Sequence, residues 1–392
     1  MMVRAPSRCR REKMPCRAPR KAEIPRSQQE AEGARDDAAD VHSAGLVLAA
    51  DEDVEDVVYA SYAMRRSHGL DWKCLDYLDW LRWPDGFVCP WCGSQDGWRA
   101  PDRRWRCAGC DRRVSATAGT IFHGTRTPLT VWFSAAWHLT GGKGGISATE
   151  LRREMQLGSY QTAWAMLHRY RSVMVRPGRN RLTGDVEVDE SFLGGPEAGI
   201  PGRGALGKVL FAAAVEVNSP SDFGRARLDG IKDASADSLQ QFLLANVEPG
   251  SRIVTDGWAA YPKAIRGHYT LKATSVSASG RPAHEALPGV HLVFSLVKRW
   301  VMGTLHGSIS PEHLPAYFDE WVFRFNRRNS RSRGLLFQRL LQQAVEGDAL
   351  TYNELRKAGR TRPPPPPPDR ERMRPPSLER EDSGLPWRDL KT

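Results

Sequence analysis

The order of apolar runs between residues 185 and 328 is the feature that most restricts how this chain can fold. Three short runs with β-strand character come first. A helical stretch at 236–247, a fourth short run at 252–256 and two long helical stretches follow. The strand-like runs read VEVDESFL, VLFAAAVEV, RARL and RIVTD. This order predicts an α/β domain in which a mixed sheet carries helices on its faces.

Acidic residues occur in the first and the fourth of these strands. Asp189 and Glu190 lie in the first run, and Asp256 ends the fourth. The order of elements is that of the RNase-H-like fold, in which the first and fourth strands are neighbours, so Asp189 and Asp256 meet at one site. Carboxylates are hard oxygen ligands, and two of them on adjacent strands can share a pair of Mg²⁺ ions. The sequence therefore predicts a magnesium-dependent phosphoryl-transfer site.

Four of the seven cysteines have the spacing of a metal site. They form the pattern C-x2-C-x14-C-x2-C and are Cys89, Cys92, Cys107 and Cys110. Four thiolates in a tetrahedron suit a structural Zn²⁺ and leave no position open for catalysis. A redox role, the alternative, does not need two pairs so far apart. Cys74 lies in a lead helix predicted at 70–82, and we interpret it as a buried thiol.

Arginines surround the cysteine pairs, where they either grip a DNA backbone or form a solvated charged face. They are Arg99, Arg103, Arg104, Arg106, Arg112 and Arg113. The net charge of +11 also favours a polyanionic partner, with nucleic acid the leading candidate.

A pair of short helices is predicted after the ribbon. The pattern S-x-x-E from Ser147 to Glu150 is typical of a helix start, and LGS at 157–159 separates this helix from a second one. Two short helices joined by a tight turn predict either a DNA-reading helix-turn-helix or an ordinary helical hairpin. The candidate DNA contacts are Gln161, Thr162, His168, Arg169 and Arg171.

These motifs occur together in a known family. Over about residues 66–345 the chain resembles the zinc-ribbon DDE transposases of insertion sequences, the group called the fifteen-ninety-five family. The resemblance rests on RWPDGFVCPWCGS, TAGTIFHGTRTPLTVWF, ISATELRREM, TAWAMLHRYR, VEVDESFLGG, TDGWAAY and GTLHGSISPEHLPAYFDEWVFRFNRR. It implies an enzyme that cuts the ends of its element and joins the freed 3′ hydroxyl to target DNA, with two metal ions at the scissile phosphate.

Carried over to this chain, the resemblance makes Asp189 and Asp256 the first two metal-binding acids. The family's third residue, usually Glu and in some members Asn, lies about seven positions before a Lys, and counting back from Lys298 gives His291. Imidazole is a poor ligand for Mg²⁺ and suits Mn²⁺ or proton transfer better. His291 is therefore the candidate third residue, and Glu285 is its rival.

Other positions match the family with roles left open. Lys298 and Arg299 are expected against scissile phosphates. Asn326, Arg327 and Arg328 match a closing Asn-Arg motif that contacts the DNA backbone or supports the site. Glu190 either supports the site or faces solvent.

Two hypotheses about function follow. The first is an active transposase that binds double-stranded DNA at terminal repeats and target, using structural Zn²⁺ and catalytic Mg²⁺ or Mn²⁺. It acts as a homo-oligomer because two DNA ends must be held together. The alternative, favoured by His291, is a catalytically degenerate, transposase-derived DNA-binding protein.

We find no membrane span or secretory signal in the sequence and expect a cytoplasmic protein associated with the bacterial nucleoid.

The sequence predicts five consecutive segments. They are a disordered basic tail at 1–65, a lead helix and zinc ribbon at 66–125, a helix-turn-helix segment at 126–180, the RNase-H-like domain at 181–345 and a Pro-rich disordered tail at 346–392.

Overall fold

The structure is a computed structural model, and it describes residues 71–142, 144–176, 178–194, 209–273, 283–307, 309–330 and 332–358. The tail predicted at 1–65 and the part of the 346–392 tail that begins at residue 359 lie outside the described residues.

The described chain begins with a helix and a small ribbon. Helix α1 spans Asp71–Arg82. The three antiparallel strands of the ribbon are β1 (Gly97–Arg99), β2 (Trp105–Cys107) and β3 (Arg113–Val114). The apolar core of the ribbon consists of Phe87, Cys89, Cys107 and Val114, with Trp83, Trp105 and Cys110 packed against it. So small a core does not stabilise a segment without a further contribution such as a bound metal.

A layer of helices follows the ribbon. The helices are α2 (Leu129–Gly141), α3 (Ala148–Glu154) and α4 (Tyr160–Val173). The Ser147 hydroxyl accepts a hydrogen bond from the Glu150 N–H, and the Ser159 hydroxyl accepts one from the Thr162 N–H, both at 3.1 Å. These caps satisfy backbone donors at the starts of α3 and α4, and the first confirms the predicted S-x-x-E helix start.

Two C-terminal helices return to this layer. Helix α10 spans Arg333–Glu346 and α11 spans Tyr352–Ala358. Phe337 of α10 shares one apolar core with Leu78 of α1, Phe133 of α2 and Leu167 of α4. The expectation of no fold in 346–392 is wrong for 352–358, because Leu355 is 4% exposed and the helix packs beside α4.

The central sheet lies between these helices in the sequence. Its strands are β4 (Asp185–Leu193), β5 (Val209–Ser219), β6 (Asp222–Gly230), β7 (Arg252–Thr255) and β8 (Thr270–Ala273). The strand order is β6-β5-β4-β7-β8. Strands β4, β5 and β6 pair antiparallel, whereas β4, β7 and β8 pair parallel. The predicted mixed sheet with the first and fourth strands side by side is confirmed.

Helices cover both faces of the sheet. The front face packs against α8 (Pro288–Thr304) and α9 (Leu314–Phe325). The short helix α7 (Ala283–Ala286) precedes α8, and a 3₁₀ turn at Pro311–His313 precedes α9. The back face packs against α5 (Ala236–Asn246) and α6 (Tyr261–Ala264). Because side chains alternate along a strand, Val186 and Val188 of β4 join the back core, whereas Glu187 and Asp189 point to the front.

A buried ion network connects the helical layer to the front helices. Glu320 of α9 is fully buried and pairs with Arg171 of α4 at 2.7 Å and with Arg324 at 3.1 Å. The turn before α3 lies against the same group: Gly145 has φ +64, and a Cβ there would approach the Glu320 Oε1 to 2.6 Å. The neighbouring Gly144 carbonyl accepts from the Trp300 indole N–H of α8 at 2.7 Å. Helix α4 is thereby joined to α9, and the turn before α3 is joined to α8.

Candidate functional site

The register of two parallel strands brings the predicted acids together. The paired residues of β4 and β7 include Val186 with Ile253 and Glu187 with Val254. Asp189 and Asp256 each lie two residues beyond that last pair, at equivalent places on strands whose backbones are spaced by about 5 Å. The sequence prediction that these two acids meet at the end of neighbouring strands agrees with this register.

Asp189 points to the front face, where the first turns of α8 cover it. Its side chain is 14% exposed, and its Oδ1 accepts the Glu190 N–H at 2.8 Å. The His291 Nε2 lies 3.7 Å from the Asp189 Oδ2, too far for a hydrogen bond but close enough for an ion pair when the ring is protonated. The predicted third residue therefore lies beside the first acid.

A cation follows further along α8. The Lys298 ammonium donates to the Ser191 hydroxyl at 2.8 Å, and Ser191 lies on the same face of β4 as Asp189. Lys298 and Arg299 are both exposed. The Lys298 charge therefore lies at the surface next to the strand that carries Asp189.

Asp256 is held by the turn that follows β7. Its Oδ1 accepts the Trp258 N–H at 2.9 Å, and the intervening Gly257 has φ +85, a conformation that favours glycine. A carboxylate has more acceptor positions than this one bond uses, so Asp256 keeps capacity to bind a metal ion.

A buried tyrosine supports the acid pair from the back face. Tyr261 is fully buried, and its hydroxyl donates to the Glu190 Oε1 at 2.8 Å. Burial raises the pKa of Tyr261 well above its ordinary value, and the charges of Glu190, Asp189 and Asp256 raise it further. The tyrosine therefore stays protonated and remains a donor, which supports the role of Glu190 as a supporting residue over that of a solvent-facing one.

Sequence reasoning missed two residues at this site. One is Tyr261, which ends the TDGWAAY motif but was assigned no role, because its burial and its bond to Glu190 depend on the fold. The other is Glu187, which is 5% exposed and accepts the Val290 N–H at 2.9 Å in the first turn of α8. It holds the start of the helix that carries His291. Its alternation with Asp189 along the strand placed it on the same face of the sheet, but the helix that it holds was not predictable from the sequence.

The four cysteines form a closed site. The Sγ atoms of Cys89 and Cys110 are 3.7 Å apart, those of Cys92 and Cys107 are 3.5 Å apart, and all four lie within 4.8 Å of one another. A tetrahedral Zn²⁺ with bonds of ~2.3 Å requires sulfur separations of roughly 3.8 Å. The cysteines therefore fit zinc.

Cys74 does not belong to this site. It is 2% exposed, and burial raises the pKa of its thiol to about 12. Cys74 is thus the buried thiol that the sequence predicted.

Among the described residues, the two acids do not belong to a set of three potential ligands as compact as the cysteine set. Within the described part of the chain, the cysteines are the one set of three or more potential ligands whose donor atoms lie within 4.8 Å of one another. The carboxylates of Asp189 and Asp256 have the donor chemistry that Mg²⁺ or Mn²⁺ prefers. Glu285, the rival third residue, lies on α7 and is exposed.

Carboxylates neutralise most of the arginines that surround the cysteines. Five of the six predicted arginines form ion pairs with acids of α1 or of the ribbon: Arg99 with Asp76 and Asp79, Arg103 with Asp76, Arg104 and Arg113 with Asp102, and Arg106 with Asp111. The sixth, Arg112, lies 4.7 Å above the ring of Trp91. These pairs reduce the positive potential that a DNA grip by the ribbon would need.

The second helix of the predicted helix-turn-helix divides into exposed and buried residues. Gln161 is exposed and Thr162 is half-buried. The Arg169 Nε donates to the Leu350 carbonyl at 2.9 Å, so this side chain is partly engaged within the protein. The predictions of DNA contacts at His168 and Arg171 are wrong, because these residues are 3% and 1% exposed and Arg171 pairs with Glu320.

The closing Asn-Arg motif contacts the edge strand of the sheet. The Asn326 amide accepts from the Ala226 N–H at 2.7 Å and donates to the Ala226 carbonyl at 3.3 Å. The half-buried Arg327 guanidinium lies 4.2 Å from the Phe323 ring centre, and Arg328 donates to the carbonyls of Phe223 and Gly224. Of the two roles left open for Asn326, these contacts support a structural one.

Two family models match the chain. A transposase zinc-ribbon domain matches residues 70–113, and an ISXO2-like transposase domain matches residues 181–326. A search of curated proteins finds no match. Among the described residues, no helix is long and apolar enough to cross a membrane.

Proposed function

The chain belongs to the zinc-ribbon DDE-type transposases of insertion sequences, and on that premise we propose that it binds the terminal repeats of its element, cuts the DNA ends and joins the 3′ hydroxyl to target DNA. The observation that carries this proposal is the register of β4 and β7, which supports a shared site for Asp189 and Asp256. A Mg²⁺ or Mn²⁺ ion bound there would activate the attacking oxygen and neutralise charge at the phosphate.

His291 takes the third position of the site. Its Nε2 lies 3.7 Å from the Asp189 carboxylate, and Glu187 holds the helix turn from which it extends. An imidazole at this distance can complete the ligand set for Mn²⁺ or move a proton to and from the reacting oxygen. Glu285 is the weaker candidate because its exposed side chain lies on a separate short helix.

Cations on the protein surface orient the DNA. Lys298 and Arg299 lie on α8 beside the acids and bind the phosphates that flank the cut. Exposed Gln161 of α4 reads the repeat, and Arg169 and Arg327 contact the backbone with the part of their side chains that remains accessible. Zn²⁺ bound to Cys89, Cys92, Cys107 and Cys110 stabilises the ribbon and takes no part in the chemistry.

The reaction requires two DNA ends in one assembly. We therefore propose a homo-oligomer that forms on DNA in the bacterial nucleoid, with double-stranded terminal repeats and target DNA as its partners.

The test is cleavage of a labelled duplex that carries the end of the element, in Mg²⁺ and then in Mn²⁺. We expect Asp189→Asn and Asp256→Asn to lower the rate by at least about a thousand-fold, because a catalytic metal contributes several kcal/mol. We expect His291→Ala to lose activity as well, with a larger deficit in Mn²⁺ if the imidazole is a ligand. Asp185→Asn is the matched control, since Asp185 lies on the same strand and pairs with Arg252 at the surface.

Each other outcome has a defined meaning. Full activity of His291→Ala moves the third residue elsewhere, with Glu285→Gln as the next variant. Specific binding by wild type without cleavage in either metal supports the alternative of a degenerate DNA-binding protein. If wild type neither binds nor cleaves the duplex, the proposed function is refuted.

A further inference from the structure

An exposed tryptophan adjoins the catalytic acids. Trp258 is 38% exposed although tryptophan is among the largest apolar side chains. Its backbone N–H donates to the Asp256 Oδ1 at 2.9 Å, and its indole N–H donates to the Ala234 carbonyl at 3.1 Å. Hydrogen bonds at both ends of the residue fix the direction of the ring while leaving part of the indole in solvent.

The position of this ring relative to the acids is set by the elements that hold it. Ala234 precedes α5, which packs on the back face of the sheet, whereas His291 and Lys298 extend from α8 on the front face. The end of the sheet that carries Asp189 and Asp256 is therefore flanked by His291 and Lys298 on one side and by a fixed aromatic ring on the other. Two residues span at most about 7 Å, so the Trp258 backbone lies within that distance of Asp256.

We propose that Trp258 is a stacking platform for an unpaired nucleobase at or next to the scissile phosphate. This inference rests on the proposed function, since it needs a DNA strand whose phosphate lies at the acid pair. Successive nucleotides of a strand are spaced by about 3.4 Å along the helix axis, so the base that reaches the ring belongs to a nucleotide within one or two positions of the cut.

The physical basis is the cost of opening the duplex. We expect the nucleotide at the cut to leave its helical stack when the strand is presented to the acids, and an unstacked base exposes apolar surface to water. An aromatic face that is already fixed replaces the lost stacking without ordering a mobile side chain. Stacking has no sequence preference of its own because every base has a π-face. The ring therefore selects the position of the opened nucleotide and not the identity of its base.

The test is a double-mutant cycle in which the Trp258 side chain and one nucleobase are removed separately and together. Full-length wild type and Trp258→Ala are each given a duplex carrying the element end, intact or with one abasic nucleotide placed in turn at the three positions on either side of the scissile phosphate. Affinity is measured by anisotropy without divalent metal, and cleavage in Mg²⁺. We expect one abasic position to weaken wild-type binding and cleavage by about ten-fold or more. Trp258→Ala on the intact duplex should lose a similar factor in both. When the two changes are combined, the loss should be no larger than that of either change alone.

Matched variants exclude a general loss of structure. Trp258→Phe keeps an aromatic face and is expected to restore most of the activity and the response to the abasic position. Trp72→Ala removes another exposed tryptophan, at 43% exposure on α1, and is expected to behave as wild type. Losses that multiply at all six positions overturn the stacking proposal while leaving the proposed function intact. Absence of binding and cleavage by wild type on the intact duplex refutes the proposed function itself, and the stacking proposal falls with it.

Discussion

The cysteine cluster and the carboxylate cluster are both candidate sets of metal ligands, but they are assembled in different ways. The cysteines come from one short segment, and their sulfurs already lie at the separations that a tetrahedral ion needs. Asp189 and Asp256 come from strands separated by a hairpin and a helix, and the nearest candidate third ligand is a histidine 3.7 Å from one of them. The first cluster is closed, whereas the second lies at the end of the sheet, where Asp256 is partly exposed.

This difference is the one expected between ligands that stabilise a fold and the acids for which we propose a catalytic role. The ribbon has a core of few residues, so we expect it to depend on a bound metal. The sheet has apolar cores on both faces, so its stability does not depend on the acids at its end. Replacing a ligand should therefore lower the free energy of unfolding in the first cluster and leave it unchanged in the second. The predictions below test this contrast in order of the expected change in that free energy.

The largest effect is expected for Cys107→Ser. Zinc bound by cysteines contributes about 10 kcal/mol or more to the folding of small domains, so the ribbon should unfold while the sheet remains intact. Zinc content and proteolysis within 83–114, followed by mass spectrometry, measure this directly. Cys74→Ala, a buried thiol outside the site, should retain zinc. Retention of zinc and of a protected ribbon in Cys107→Ser would break the comparison.

The second effect concerns a carboxylate whose role is structural. Glu320→Gln leaves Arg171 and Arg324 buried without a counter-charge, which costs roughly 3–5 kcal/mol. Denaturant unfolding measures the change. Glu150→Gln on the exposed face of α3 is the control and should change stability by less than about 0.5 kcal/mol. A similarly small change for Glu320→Gln would show that the buried, paired Glu320 contributes no more to the free energy of unfolding than the exposed Glu150.

The two clusters also differ in how far the sequence predicts them. The spacing of Cys89 to Cys110 specifies the zinc site because all ligands lie in two tight turns, and no distant contact is needed. Asp189 and Asp256 were predictable because strand order alone makes their strands neighbours. Glu187 and Tyr261 were not, since their roles depend on which helix packs on which face. Charges were misassigned for the same reason: Arg171 lies in a basic helix but pairs with Glu320, about 150 residues later.

The third effect concerns the supporting tyrosine. Tyr261→Phe removes the hydroxyl that donates to Glu190 and should cost about 1 kcal/mol. Tyr269→Phe removes a comparable bond to the Val247 carbonyl at 3.1 Å, away from the acids, and should cost a similar amount. Only Tyr261→Phe is expected to slow cleavage, because Glu190 follows Asp189 directly. Equal cleavage rates in the two variants would remove Tyr261 from the support of the site.

The smallest change in stability is expected for Asp189→Asn and Asp256→Asn in the absence of divalent metal. Two carboxylates held on adjacent strands repel each other, so neutralising either one should leave the free energy of unfolding unchanged or raise it by up to about 1 kcal/mol. Added metal should make wild type more stable than either variant. Mg²⁺ binds the folded wild type and raises its melting temperature by mass action, and this increase should disappear in both variants. A loss of several kcal/mol in metal-free Asp256→Asn would mean that the acid holds the turn through its bond to Trp258 more than it serves a metal, and the two clusters would then differ in ligand chemistry alone.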